Sequence, residues 1–203
     1  MADLVTLQQY KDFAGLQGVQ NDARINTIID QVSQLVKSYC SSTIIDYAAT
    51  NKTEFFTVKD DLVDTIILEE SPIIAVVSVE ERTGQADPYV TLITENSNNS
   101  GKYEYVVNDD SDSITRTSGS GTKSWPKGPK SVKVVYKAGY VSTPDDLKLA
   151  VFDLIKYYLK DERKERMTIA GATVENAVSS SLAGNIGFPD HIKRILDMYK
   201  IYS

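Results

Sequence analysis

The sequence predicts an α+β protein: a small helical bundle built from the N- and C-terminal segments, with an antiparallel β-sheet or barrel domain inserted between them. Three observations predict it. Apolar residues recur at spacings of three and four up to about residue 42. The pattern then changes to short β-branched and aromatic runs, and helical spacing returns from residue 143. The domain reading is therefore 1–42 for the N-terminal helices, 43–142 for the β-rich insert, 143–167 for a further bundle helix, and 168–203 for a flexible arm and C-terminal helix. Neither terminal segment has enough partners for its own apolar stripe, so the two are expected to pack on each other.

Each element has a local cause. Thr6, with Gln9 three positions later, makes a capping box for a short helix that Gly15 and Gly18 stop. Asn21 or Asp22 starts a second helix. Its stripe is Ile25, Ile28, Ile29, Val32, Leu35, Val36 and Tyr39, and Ser41 and Ser42 end it. Strands are expected at 54–58, 65–69, 73–82, 89–93, 102–107, 113–117 and 131–138, with turn-forming clusters between them. In the last, Val132, Val134 and Tyr136 alternate with Lys133 and Lys137, as a half-buried strand requires. Thr143 is the expected N-cap of the next helix and Pro144 its first residue. That helix presents Leu147, Val151, Leu154, Ile155, Tyr158 and Leu159 as its buried stripe. A mixed-charge run fills 160–166, residues 168–187 are small and flexible in composition, and Phe188-Pro189 opens a last helix.

Composition narrows the function classes. With 41% apolar and 25% charged residues the chain is neither disordered nor fibrous. No apolar run is long enough for a membrane span, and the N-terminus lacks the basic start and apolar stretch of a signal peptide. The net charge of -6 argues against a dedicated nucleic-acid binder, which needs a basic face for phosphates. Cys40 is the single cysteine and cannot form an intrachain disulfide, which fits assembly in a reducing compartment. Tyrosine, at 12 residues, outnumbers Phe and Trp together, and its flat body with a polar tip suits interfaces.

The residues that could carry chemistry each have a plainer reading. Cys40 and His191 are the candidates for a nucleophile–base pair, but Cys40 closes an amphipathic helix, where a small buried hydrophobe is expected. Asn108-Asp109-Asp110-Ser111-Asp112 clusters oxygen ligands without the Gly and Glu spacing of a calcium loop, and reads as a hairpin turn. Ser118-Gly119-Ser120-Gly121-Thr122-Lys123-Ser124 puts Thr122 between glycine and lysine and runs into Trp125-Pro126, so no phosphate loop forms. Trp125 either covers the sheet or anchors a contact. One Cys and one His cannot build a tetrahedral metal site. No enzymatic activity, cofactor or metal is expected.

The layout resembles the head–tail connector (adaptor) proteins of long-tailed bacteriophages. Five stretches in order carry the resemblance: the Thr6-Leu7 helix cap; Asp22-x-x-Ile25-x-x-Ile28-Ile29 running on to Val36-x-x-Tyr39; Ser71-Pro72-Ile73-Ile74-Ala75-Val76-Val77-Ser78-Val79; Trp125-Pro126 preceding Val132-x-Val134-x-Tyr136-x-Ala138-Gly139-Tyr140; and Pro144-x-Asp146-Leu147-x-x-Ala150 leading to Tyr157-Tyr158-x-x-x-Glu162-Arg163. It covers about residues 4–166. The resemblance implies a structural virion protein at the neck, assembled in the bacterial host cytoplasm. It implies a ring of about twelve copies under the portal protein that extends the DNA channel and offers a platform for the stopper or tail. DNA would pass through without sequence-specific binding. The alternative is another virion component, such as a tail-completion or head-decoration protein.

A ring subunit needs two different contact surfaces. The C-terminal residues Phe188, Ile192, Ile195, Met198, Tyr199, Ile201 and Tyr202 are expected to dock on a neighbouring subunit or on the portal. With -6 per copy, a ring around DNA would repel phosphates and let DNA slide.

Overall fold

The computed structural model describes residues 2–93, 103–118, 121–160, 166–169, 172–175 and 188–201. The chain forms two units: Met1–Ser42 with Ser142–Tyr202, and Thr43–Val141.

In the first unit, α1 (Leu7–Ala14) starts at the capping box. Thr6 Oγ1 accepts from the Gln9 amide at 3.2 Å, and Gln9 Oε1 accepts from the Thr6 amide at 2.8 Å. Gly15 ends the helix in the left-handed region. Helix α2 (Asp22–Cys40) buries Ile25, Ile29, Val32, Val36 and Cys40, while Ile28 and Leu35 stay half-buried beside the stripe. Helix α3 (Asp145–Leu159) buries Leu147, Ala150, Val151, Leu154 and Ile155. Its start corrects the expected cap. Thr143 is buried, so its hydroxyl needs an acceptor, and it donates to the Leu4 carbonyl at 2.6 Å instead of capping. Pro144 takes the capping position. Phe13 stacks on Phe152 with ring centroids 4.7 Å apart, which joins α1 to α3. Helix α4 (Asp190–Asp197) packs on both α2 and α3.

Among the described residues the second unit holds eight strands: β1 (Lys52–Val58), β2 (Thr65–Ile67), β3 (Ile73–Glu81), β4 (Val90–Thr91), β5 (Tyr105–Asn108), β6 (Ser113–Ser118), β7 (Gly121–Thr122) and β8 (Gly128–Ala138). One antiparallel sheet has the order β1-β8-β3-β4 and the other β2-β6-β5, with β7 hydrogen-bonded to β6. Among the described residues the sheets stay open, so the sheet reading holds and the barrel reading does not. Strand β8 is central: Val132, Val134, Tyr136 and Ala138 point into the core, and Lys133, Val135 and Lys137 alternate with them. The core includes Ile66, Val79, Ile114, Trp125, Val134 and Tyr136.

The ends of this unit meet. The Tyr140 amide donates to the Ile44 carbonyl at 2.7 Å, and the Gly139 amide donates to the Pro72 carbonyl at 2.8 Å. Gly139 has φ +93°, and a Cβ there would lie 2.3 Å from the Ile44 carbonyl oxygen. Only glycine fits both the backbone conformation and the close approach.

The first unit also contains β9 (Arg166–Ile169) and β10 (Ala172–Glu175), paired antiparallel with Ile169 opposite Ala172. This hairpin corrects the reading of residues 168–187 as flexible throughout. Thr168, Ile169, Thr173 and Val174 are β-branched and suit strands. The rest of that segment, and most of the charged run 160–166, lies outside the described residues.

Candidate interaction surfaces

The C-terminal helix is held by its own unit. Phe188, Ile192 and Leu196 are buried. The Phe188 ring meets Tyr39 edge-on at 5.2 Å. The Tyr39 hydroxyl donates to Asp197 Oδ1 and the Tyr199 hydroxyl to Asp146 Oδ1, both at 2.6 Å. The Ile201 amide donates to the Cys40 carbonyl at 2.9 Å. Phe188 and Ile192 therefore serve the chain's own core, which corrects their expected use on a neighbour. Met198 is 67% exposed. Ile195, Tyr199 and Ile201 are half-buried, and Tyr202 lies outside the described residues. A concave face of about 560 Å³ lies elsewhere in this unit, bordered by Arg24, Ile28, Leu35 and Tyr158.

Cys40 and His191 do not form a pair. The Cys40 thiol is fully buried, and His191 is exposed on α4. Burial, with the Asp197 charge adding to it, pushes the thiol up to about 12. A thiol in that state is not a nucleophile at neutral pH.

The acidic cluster is the tight β5–β6 turn. Residues Asp109–Ser111 form one 3-10 turn, and Asp112 is left-handed at φ 46°. Asp112 Oδ1 accepts from the Ile73 amide at 3.0 Å. Asn108 Nδ2 donates to Thr115 Oγ1 at 2.9 Å. Asp109 and Asp110 point outward and are exposed. The glycine-rich stretch that follows enters β7, which pairs back on β6, so it is a hairpin and not a phosphate loop.

Trp125 is 2% exposed and belongs to the core, so it covers the sheet rather than anchoring an external contact. The Arg116 guanidinium lies over its ring at 5.9 Å. Arg116 also grips Glu81, with Nε to Oε2 and Nη2 to Oε1 both at 2.9 Å.

One cluster was not foreseen from the sequence. At the Glu81 end of β3, two aromatic rings lie among three cations. Phe55 and Tyr89 have ring centroids 6.3 Å apart. Arg82 lies 4.9 Å and Lys133 5.9 Å from the Tyr89 centroid, and Lys130 lies 5.5 Å from the Phe55 centroid. Lys133 is paired with Glu80 at 3.0 Å. Among the described residues the Arg82 guanidinium donates to carbonyls, those of Gln85, Pro129 and Lys130. Among the described residues no carboxylate lies within ion-pair distance of Arg82 or Lys130. Phe55 is 48% exposed and Lys130 is exposed.

These features define a two-unit α+β protein. The chain belongs to the head completion protein family, which matches residues 3–202. The resemblance to head–tail connectors agrees with that membership. No curated protein matches the chain. Solved structures share the fold. One from the neck of a native GTA particle, computed with C12 symmetry, has a TM-score of 0.58 at 12% identity, covering 100% of this chain and 95% of that one. A second, from the neck of an empty GTA particle computed with C6 symmetry, has a TM-score of 0.56 at 14% identity, covering 98% and 91%. A third, from the virion of a native gene transfer agent particle, has a TM-score of 0.55 at 14% identity with the same coverage.

Proposed function

We propose that this chain is a structural neck protein of a phage-like virion, forming a ring beneath the portal that extends the DNA channel and carries the stopper or tail. The observation that carries this reading is family membership over 3–202 together with end-to-end fold similarity to a chain in a C12-symmetric neck. The role is architectural. The buried Cys40 thiol and the exposed His191 support that, since they do not form the nucleophile–base pair that the sequence could have supplied. DNA passes the ring without being held, because the net charge of -6 per copy repels phosphates. Among the C-terminal residues, Met198, with the half-buried Ile195 and Ile201, faces the portal or the adjacent subunit.

Native mass spectrometry of the full chain, alone and with the portal protein of the same virion, tests the reading. About twelve copies on one portal is the expected result. Failure to bind the portal, with binding to a tail tube or capsid instead, would replace it with a tail-completion or head-decoration role.

A further inference from the structure

We infer that neighbouring copies in the ring join head to tail through the β unit, with the Asp109/Asp110 turn of one subunit seated on the Phe55–Tyr89–Arg82–Lys130 face of the next. The inference rests on the ring proposed above and names one of its subunit contacts.

Three observations carry it. The first is charge. Lys130 and Arg82 are cations without a carboxylate partner among the described residues, and Phe55 is half exposed beside them. Asp109 and Asp110 are exposed acids with no ion pair among the described residues. Nearby, Lys133 is paired with Glu80, Lys127 with Asp61, and Asp87 accepts from the Thr83 hydroxyl. The two free sets are complementary.

The second is distance. Asp112 binds the Ile73 amide, and Ile73 pairs with Ala138, so the acidic turn sits at one end of β3 and β8. Arg82 follows the last residue of β3 and binds the carbonyls of Pro129 and Lys130, so the basic face sits at the other end. From Lys130 to Ala138 an extended strand spans roughly 26 Å at about 3.3 Å per residue. The turn cannot reach the basic face of its own chain, but a second copy can supply it. Two different patches at opposite ends of one unit are what a ring-closing contact needs.

The third is preorganisation. Lys130 is held at φ 50°, a region that side-chain-bearing residues rarely occupy. Its carbonyl accepts from Arg82 Nε at 3.2 Å and from the Tyr89 hydroxyl at 2.6 Å, and its amide donates to Thr57 Oγ1 at 3.1 Å. The surrounding groups thus fix an exposed cation over a ring, a geometry that loop packing alone does not require.

The test is zero-length carbodiimide crosslinking of the ring on its portal, made from an equal mixture of light- and heavy-nitrogen chains. Mass spectrometry of the peptides is the readout. Amides joining Lys130 to Asp109 or Asp110 in mixed-isotope pairs are expected. Lys130→Glu should abolish those amides and reduce ring occupancy on the portal. Adding Asp110→Lys to the same chain should restore occupancy, because each interface then carries the swapped pair. Thermal unfolding of the variants checks that they fold, and both sites are on the surface. A ring that assembles without mixed Lys130–Asp amides, and is unaffected by Lys130→Glu, overturns this contact and leaves the ring standing. So does a Lys130→Glu ring of normal occupancy that loses retention of duplex DNA, which would assign the face to nucleic acid. Absence of any ring on the portal overturns the ring reading and this contact with it.

Discussion

Arg116 of β6 holds Glu81 of β3 through two parallel hydrogen bonds of 2.9 Å, and so ties together the two sheets of the β unit. The guanidinium also donates to the carbonyls of Glu104 and Thr117 at 2.6 and 2.7 Å. Its side chain is 3% exposed and that of Glu81 14%. Removing one partner of such a pair leaves a charge with nothing to answer it. Arg116→Ala should cost about 3 kcal/mol or more, read from the urea midpoint. A loss below about 0.5 kcal/mol would place the pair with ordinary surface bridges.

The stability of the chain should fall on the alkaline side. Burial first, then the hydrogen bond to Glu54, raises the Tyr136 phenol above its ordinary 10.0. Burial alone would lower Lys52, but its bonds to Glu54 and Glu69 outweigh that and raise it above 10.5. Cys40 rises from 9.0 to about 12. In all three the folded state keeps its proton longer than the unfolded chain does. Their stabilisation is complete below the ordinary thiol value of 9.0 and is lost as pH rises above it. Urea midpoints should be level up to that pH and decline beyond it, with Cys40→Ala and Tyr136→Phe each flattening the decline.

Cys40 should resist iodoacetamide in the folded protein at neutral to mildly alkaline pH and react fully in denaturant. Intact-mass measurement reads this directly. Rapid native labelling would mean that α4 lifts from α2.

Leu196→Ala should cost about 3 kcal/mol, because this α4 side chain is fully buried in the helical unit. Met198→Asp should leave stability within about 0.5 kcal/mol while weakening attachment to the portal. Deleting residues 185–203 would remove core as well as contact surface, so the Met198 change is the cleaner probe. Equal attachment by the Met198 variant would remove that residue from the interface.

Gly139→Ala should destabilise by about 1–3 kcal/mol, since alanine meets both the positive φ and the Ile44 carbonyl. A neutral change would show that the junction can relax.

Much of the architecture was legible because periodicity reports burial directly. The stripe of α2 and the alternation along β8 specify which face is covered. The capping box at Thr6 was legible because both partners lie within four residues. Thr143 was misread because its acceptor, the Leu4 carbonyl, is remote in sequence. Phe188 and Ile192 show a different limit. An apolar stripe demands cover but does not say whether the same chain provides it. The hairpin of β9 and β10 escaped because strands of four residues give too few alternations to read. The Phe55–Tyr89–Arg82–Lys130 face was invisible for a similar reason: register across β1, β3 and β8 brings together residues that no local spacing connects.

The hydrogen bond between Tyr140 and Ile44 bears on how the chain is made. Helices α1 and α2 leave the ribosome with their apolar stripes uncovered, and their partners α3 and α4 emerge only after the whole β unit. If the middle of the chain folds during that wait, its ends are already side by side. Closing the helical unit then no longer means bridging a long disordered loop, whose entropic cost grows with its length. The expected order of folding is thus from the middle outward. Pulse-labelled hydrogen exchange during refolding would show it as early protection of β8 amides and later protection of α2, and the reverse order would refute it.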